Sequence, residues 1–331
     1  MAKIRSTNTS YKKWLGVAPL FDPAKGITVI KPPARGEGYW CGAPSALFDD
    51  DSGKFYLYYR VRKPRPVRGG EVFIKESRDG KRFRTIWHAT REDFDSPSIE
   101  RSALVKCPDG RFRLYISYVD GKDARWRIDM MEAATPAEFD PAKRCKILTA
   151  DDTDTEAVKD PAVYLIGGLY YMIVSIATRP KRVSRTLKKK MHATADVHTT
   201  GITKSETGLA VSTDGINFEW KGKIFATSEK GWDSYCSRIN SILYLPPVFT
   251  AFYDGIPDVS QNYEEKTGIA VTTDLCNFHR LTLDEPALKS PYGGALRYID
   301  VFVLENKIYY YYECATKDGS HELRLNIVPL E

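Results

Sequence analysis

The run Pro161-Ala-Val-Tyr-Leu-Ile-Gly-Gly-Leu-Tyr-Tyr-Met-Ile-Val-Ser175 holds two apolar, β-branched and aromatic segments separated only by Gly167-Gly168. Each segment has strand length and strand composition, and a Gly-Gly link between two such segments reads as a tight hairpin. The same unit recurs along the chain. Residues 43–48 pair with 55–60 across Asp51-Ser-Gly53, and 101–106 pair with 112–118 across Pro108-Asp-Gly110. Likewise 239–245 pair with 248–253 across Pro246-Pro247, and 299–304 with 308–313 across Glu305-Asn306.

A second element follows most hairpins: a strand, a turn and then an aromatic residue. It is written Glu76-Ser-Arg-Asp-Gly-Lys-Arg-Phe83, Val211-Ser-Thr-Asp-Gly-Ile-Asn-Phe218 and Val271-Thr-Thr-Asp-Leu-Cys-Asn-Phe278, with a looser copy at Glu132-Ala-Ala-Thr-Pro-Ala-Glu-Phe139. From the starting points 43, 101, 161, 239 and 299 the steps are 58, 60, 78 and 60 residues. Self-similarity at a fixed period is the mark of a repeat architecture. Four strands per unit and five units predict an all-β chain, a five-bladed β-propeller with four-stranded blades spanning residues 1–331 as one domain. A β-sandwich is the competing architecture, but it does not account for the even step. The long third step holds an insertion at 178–205, in which Arg185 to His192 reads as a short helix.

Composition sets the outer bounds. A chain of 331 residues, 42% hydrophobic and 28% charged, is long enough for a large core and ordinary for a globular protein. The 20 Tyr and 6 Trp suit strands and also surfaces that hold sugars. A net charge of +6 is too mild to indicate nucleic acid. No run of 18 apolar residues exists, so no membrane-spanning helix is expected. The six cysteines fall at scattered positions without metal spacing, and residues 1–20 lack an apolar signal core. Free thiols, a reducing cytoplasmic setting, and no cofactor or metal are therefore expected.

In a propeller the first strand of each blade lines the axis, so the residues entering those strands share a mouth. They include Trp40 in the first unit, Glu100 and Arg101 in the second, and Glu156, Lys159 and Asp160 in the third. The fourth contributes Asp233, Tyr235 and Arg238, and the fifth Tyr298. Glu100 and Asp160 are the expected catalytic pair. Glycoside cleavage needs one protonated carboxyl to assist the leaving group and one carboxylate as base or nucleophile. Arg101, Lys159 and Arg238 are expected to bind substrate, as are Tyr298, Trp40, Tyr235, Asp233 and Glu156. The competing reading makes these charges structural ion pairs, most strongly for Glu156. Tyr39, Trp232 and Tyr292 are further candidates for stacking on a sugar.

Val158-Lys-Asp-Pro-Ala-Val-Tyr164, followed by Gly168-Leu-Tyr-Tyr171, resembles the five-bladed propeller glycosidases of glycoside hydrolase families 43, 32, 68, 117 and 130. The Ser/Thr-x-Asp-Gly-x-x-Phe turns at 77–83 and 212–218 are similar to theirs. The resemblance covers all five units as architecture, and as a motif it is specific at the third. It implies a glycosidase, with Asp160 matching the middle acid of the family 43 set, which tunes and orients the proton donor. The stretch Cys41-Gly42-Ala43-Pro44 and the stretch at Ser237-Arg238 carry no acid where that family has its other two. Family 130 phosphorylases and hydrolases use one main acid near the second-blade entrance, where Glu100 stands, but their Glu-Asp-Pro-Arg motif is replaced here by Glu100-Arg-Ser-Ala103.

The insertion carries Arg179, Lys181, Arg182, Arg185, Lys188, Lys189, Lys190, His192 and His198 against one acid, Asp196. The loop after the first hairpin adds Arg60, Arg62, Lys63, Arg65 and Arg68. A basic rim of this kind attracts anionic sugars or phosphate; a merely solvated loop is the alternative. The expected partner is a carbohydrate substrate, with hydrolysis, phosphorolysis and non-catalytic glycan or protein binding as the alternatives. Neither nucleic acid nor membrane is an expected partner, and the sequence leaves oligomeric state open.

Overall fold

The computed structural model describes residues 16–330, so residues 1–15 and 331 of the expected domain lie outside it. Among the described residues there are 20 strands and one α-helix. Strand β1 (Ile27–Ile30) comes first. It is followed by β2 (Trp40–Asp49), β3 (Lys54–Lys63), β4 (Arg68–Ser77) and β5 (Arg84–Thr90), then by β6 (Ala103–Lys106), β7 (Phe112–Val119), β8 (Trp126–Ala133) and β9 (Cys145–Leu148). Next come β10 (Ala157–Ile166), β11 (Leu169–Ala177), the helix α1 (Arg185–His192), β12 (Ser205–Ser212) and β13 (Glu219–Phe225). The chain ends with β14 (Cys236–Leu245), β15 (Val248–Ile256), β16 (Lys266–Thr272), β17 (His279–Arg280), β18 (Leu296–Leu304), β19 (Lys307–Ala315) and β20 (His321–Pro329).

Consecutive strands pair antiparallel as meanders: β2 to β5, β6 to β9, β10 to β13, β14 to β17, and β18 to β20. β1 pairs antiparallel with β20, so an early strand completes the last meander. All five hairpins and the helix at 185–192 lie where the sequence places them. The Asp turns repeat atom for atom. Asp79 Oδ1 accepts from the amides of Lys81 and Arg82, Asp214 Oδ1 from Ile216 and Asn217, and Asp274 Oδ1 from Cys276 and Asn277. In each, the Ser or Thr two residues earlier accepts from the Asp amide, which closes the local turn without tertiary help.

The second strand is deeply covered in every meander, and all eight residues of β7 are buried. Strands buried on both faces need continuous apolar sequence, which is why these segments read as unbroken runs. The core lies between adjacent meanders. Tyr58, Ile74 and Trp87 of one pack on Leu114 and Ile116 of the next, and Leu243 and Phe252 pack on Ile299 and Tyr310.

Register shifts interrupt β2 after Gly42, β10 after Lys159, β14 after Ile239 and β18 after Arg297. At three of these bulges a non-glycine residue takes a left-handed backbone: Ala43 (φ 52°), Asp160 (φ 54°) and Tyr298 (φ 53°). Such conformations cost about 1–3 kcal/mol each and tend to gather where side chains must be re-aimed. Here they set the entrance residues of different meanders into one place.

Candidate functional site

The pairing register defines one layer across the molecule. Gly42 lies opposite Arg60, Lys159 opposite Ser175, Arg238 opposite Asp254 and Arg297 opposite Glu313. The Glu100 amide donates to the Ser117 carbonyl at the matching point of the second meander. First-strand and second-strand side chains of this layer therefore converge.

Glu100 is 2% exposed. Its Oε2 accepts from Arg60 Nε at 2.8 Å and its Oε1 from Arg62 Nη1 at 2.5 Å. Burial pushes its pKa up, but Arg60, Arg62 and Lys159 outweigh burial and hold it well below the usual carboxylate range. Two guanidiniums around one carboxylate favour its ionised form. Glu313 is held the same way, by Arg297 (2.7 Å), Arg60 (3.1 Å) and His321 (2.6 Å). Arg297 also reaches Glu265 at 2.5 Å, and Arg238 reaches Glu265 at 3.3 Å.

Asp160 projects from the β10 bulge. Its Oδ2 meets Lys159 Nζ at 3.1 Å and Arg238 Nη1 at 3.8 Å, and accepts from the Tyr298 hydroxyl at 3.4 Å. Its Oδ1 is buried without a partner. Asp254 lies on the other side of Arg238, at 2.9 Å from Nη2. Burial raises the Asp254 pKa to about 6, against the opposing pull of Arg238, so this carboxyl holds a proton in mildly acidic solution.

The insertion closes the site from above. Asp196 meets Arg68 at 3.2 Å, Arg65 at 3.5 Å and the Tyr263 hydroxyl at 3.3 Å. His198 is 6% exposed, and neither ring nitrogen has a partner. Burial, reinforced by Lys159, lowers its pKa to about 3, so the ring is neutral. Together Arg60, Arg62, Glu100, Lys159, Asp196, His198, Arg238, Glu265, Arg297 and Tyr298 line a cavity of about 20 Å³, with Asn262 and Tyr263. A larger concavity of about 520 Å³ lies on the outer surface around the turn at 76–84. Arg78, Arg82 and Arg84 are exposed there, and its buried carboxylate, Glu76, is paired with Lys54 and Arg84, so the axial cluster with its unpaired atoms is the better candidate.

The other expected site residues divide. Lys159, Arg238 and Tyr298 line the cavity. Trp40 supports it from beside, stacked on His321 at 4.6 Å and lying near Arg297 and Arg62. Tyr235 acts from behind, its hydroxyl donating to the His198 carbonyl at 3.0 Å. Three are placed elsewhere. Arg101, which precedes β6, binds the carbonyls of Pro44 and Pro161 and the Asp300 carboxylate. Glu156 pairs with His192 of α1 at 2.9 Å and so ties the insertion down. Asp233 pairs with Arg280 of β17 at 2.7 Å. Arg60, Arg62 and Lys63, expected in a basic loop, belong to β3, and the first two are buried in ion pairs.

No protein-family model matches the chain, and no curated protein matches it. Solved structures do. A thermostable family-43 glycoside hydrolase superposes with a TM-score of 0.64 at 15% identity, over 91% of this chain and 92% of that one. The fold is that of the propeller glycoside hydrolases. A putative glycoside hydrolase from Parabacteroides distasonis gives 0.63 at 15% identity, over 95% of this chain and 98% of its own. The β-1,2-mannobiose phosphorylase of Listeria innocua gives 0.60 at 13%, over 92% and 94%. At these identities the likeness is one of fold.

Within that propeller fold, Asp254, Glu265, Arg297 and Glu313 were not singled out as site residues by the sequence, and His198 was named only as part of the basic insertion. One signal was available for two of them. The second strand of each unit ends in an apolar run followed by a polar residue: Arg60, Ser117, Ser175, Asp254 and Glu313. A polar side chain at that point in every repeat marks the level at which the strands meet around the centre.

Proposed function

We propose that the chain is a single five-bladed β-propeller of four-stranded blades, and that it acts on glycans by cleaving a glycosidic bond at the cavity over its axis. The observation that carries this reading is the gathering of unpaired buried polar atoms there: Arg60 Nη1, Arg238 Nε, Asp160 Oδ1 and both nitrogens of His198. Buried polar groups are nearly always satisfied, so a cluster of exceptions at one cavity marks a place that takes ordered water or a ligand group.

In this reading Asp160 acts through its free Oδ1 as the reacting carboxylate. Glu100 stays ionised and positions Arg60 and Arg62 towards the substrate. The proton comes from the pair that flanks Arg238, where Asp254 is the member with the raised pKa. Two carboxyls with environments that push their proton affinities apart are what glycoside cleavage requires. Tyr298 orients Asp160 through its hydroxyl. Whether water or phosphate accepts the glycosyl unit is the point on which hydrolase and phosphorylase differ.

The test is product release from a panel of neutral and acidic oligosaccharides, each with and without inorganic phosphate. Asp160→Asn is expected to abolish turnover while sugar binding survives. The wild-type rate is expected to decline as pH rises through about 6, where Asp254 loses its proton. Binding without turnover across the panel would replace this reading with a non-catalytic glycan-binding propeller, which the complete pairing of Glu100 favours.

A further inference from the structure

We propose that the outer face of α1 is a docking site for an acidic polysaccharide, a chain with a carboxylate on successive sugar units. The choice of a sugar chain rests on the glycan reading above, and the contact lies outside the axial cavity.

Helix position is the first ground. Met191 seats α1: it is 0% exposed and packs with Val119, Trp126, Ala157 and Val197. Arg185, Lys188, Lys189 and His192 stand at i, i+3, i+4 and i+7, so they share one face turned away from Met191. With Ala193 they line an open concavity of about 430 Å³. Lys181, Arg182 and Lys190 are exposed on the same segment.

Charge is the second ground. Among the described residues, the ion pairs of the insertion are those of Arg179 with Asp154 and Glu156, His192 with Glu156, and Asp196 with Arg65 and Arg68. Lys181, Arg182, Arg185, Lys188, Lys189 and Lys190 take part in none of them, and no acid stands between Arg179 and Ala195. Like charges three and four residues apart weaken a helix, and a cation in the first turn opposes its dipole. Arg185 does both, in a first turn that holds no acid. A mixture of Glu and Lys would give solubility without that cost. A face kept against local preference marks function rather than mere solvation.

The kind of partner follows from what the face offers. His192 Nε2 lies 2.9 Å from Glu156, and its Nδ1 is buried without a partner, so the charged face also ends in a free hydrogen-bonding atom. A uronate chain supplies carboxylates for the cations, Arg185 above all, and hydroxyls for that nitrogen. Residues 178–205 contain no Phe, Tyr or Trp on which bases would stack, and the eight residues of α1 span only about 12 Å. Asp196 and His198 of the same insertion line the axial cavity, so a chain held on α1 lies beside the axial cluster.

The experiment measures binding of polygalacturonate to the full chain by titration calorimetry at physiological salt. The controls are the fully methyl-esterified polymer, which keeps the backbone and loses the charge, duplex DNA, and vesicles of anionic phospholipid. The variants are Arg185→Gln/Lys188→Gln/Lys189→Gln and, with the same change in net charge, Lys31→Gln/Lys81→Gln/Lys307→Gln at three exposed lysines outside the insertion. Polygalacturonate is expected to bind, its methyl ester about tenfold more weakly, and DNA and vesicles more weakly per charge. The helix variant is expected to lose about tenfold in affinity, the joint effect of three surface charge contacts, and the control variant about twofold at most. The helix variant should melt no lower than the wild type, because repulsion within α1 is relieved. Equal binding by the two variants, or of the acid and esterified polymers, overturns the inference. Tighter binding of DNA or vesicles per charge overturns it in favour of that partner. Absence of turnover on every oligosaccharide overturns the cleavage reading alone, and the docking site is then decided by the polygalacturonate titration.

Discussion

Gly42→Ala is the smallest change that tests the ion-pair layer. A methyl group at Gly42 would sit 2.0 Å from Glu313 Oε2, 2.4 Å from its Cδ and 2.5 Å from its Cγ. Glu313 cannot swing away at low cost, because Arg297, Arg60 and His321 hold both of its oxygens and the residue is 0% exposed. Displacing it separates buried charges, which costs about 3–5 kcal/mol. At an unobstructed site the same substitution would instead stabilise by about 0.4–1 kcal/mol through the unfolded chain. Unfolding entropy of about 2.1 cal/mol/K per residue gives roughly 0.7 kcal/mol/K over 331 residues, so the melting temperature should fall by about 4–7 °C. Calorimetry on Gly42→Ala, Glu313→Ala and the double variant reads the coupling. With the Glu313 side chain gone, the methyl group loses its obstruction, and the second substitution should cost less than about 0.5 kcal/mol. A neutral Gly42→Ala, or strict additivity in the double variant, would refute the claim that Glu313 is locked across Gly42.

Two further outcomes follow from groups away from the cavity. Burial raises the Asp300 pKa to about 6 although Arg101 pulls it down, so the folded state holds this proton more tightly than the unfolded chain does. Stability from this group is therefore present in acid and lost as pH rises from about 4 to about 6, by about 3 kcal/mol. The pH dependence of denaturant unfolding should be flatter by that amount in Asp300→Asn, and an unchanged profile would show that Asp300 does not titrate in this range. All six cysteines are free; Cys145 and Cys276 are exposed and the other four buried, with burial raising Cys41 and Cys236 to about 12. A thiol reagent should thus modify two thiols quickly in the native protein and four more only on unfolding, and Cys145→Ser/Cys276→Ser should abolish the fast phase.

The hairpins were legible because their signals are local. Gly167-Gly168 needs only its neighbours to turn the chain, and the Asp79, Asp214 and Asp274 turns close through bonds within four residues. The step of about 60 residues then gave the order of the meanders. The layer of converging residues was only half legible. Glu100, Lys159, Asp160, Arg238 and Tyr298 enter first strands, where position within the repeat predicts their place. Their partners come from second strands and loops elsewhere in the chain, Arg60 standing 40 residues from Glu100 and 253 from Glu313, and no spacing in the sequence records that proximity.

Neighbouring entrance residues part or stay together for local backbone reasons. Arg101 and Glu100 are adjacent in sequence on the extended segment before β6, yet Glu100 reaches the cavity and Arg101 reaches Asp300. Lys159 and Asp160, equally adjacent, stay together because the β10 bulge gives Asp160 a left-handed backbone and turns it back towards its neighbour. Composition cannot distinguish these two cases; only the register does. The bulge was nevertheless foreshadowed. Pro161 follows Asp160 and Pro44 follows Ala43, and a proline takes no part in a ladder as donor, so it belongs where pairing lapses. Asp160, the charged residue beside an entrance proline, is thus one whose direction the strand period fails to predict, and its own Oδ1 is among the unpaired buried atoms of the cluster.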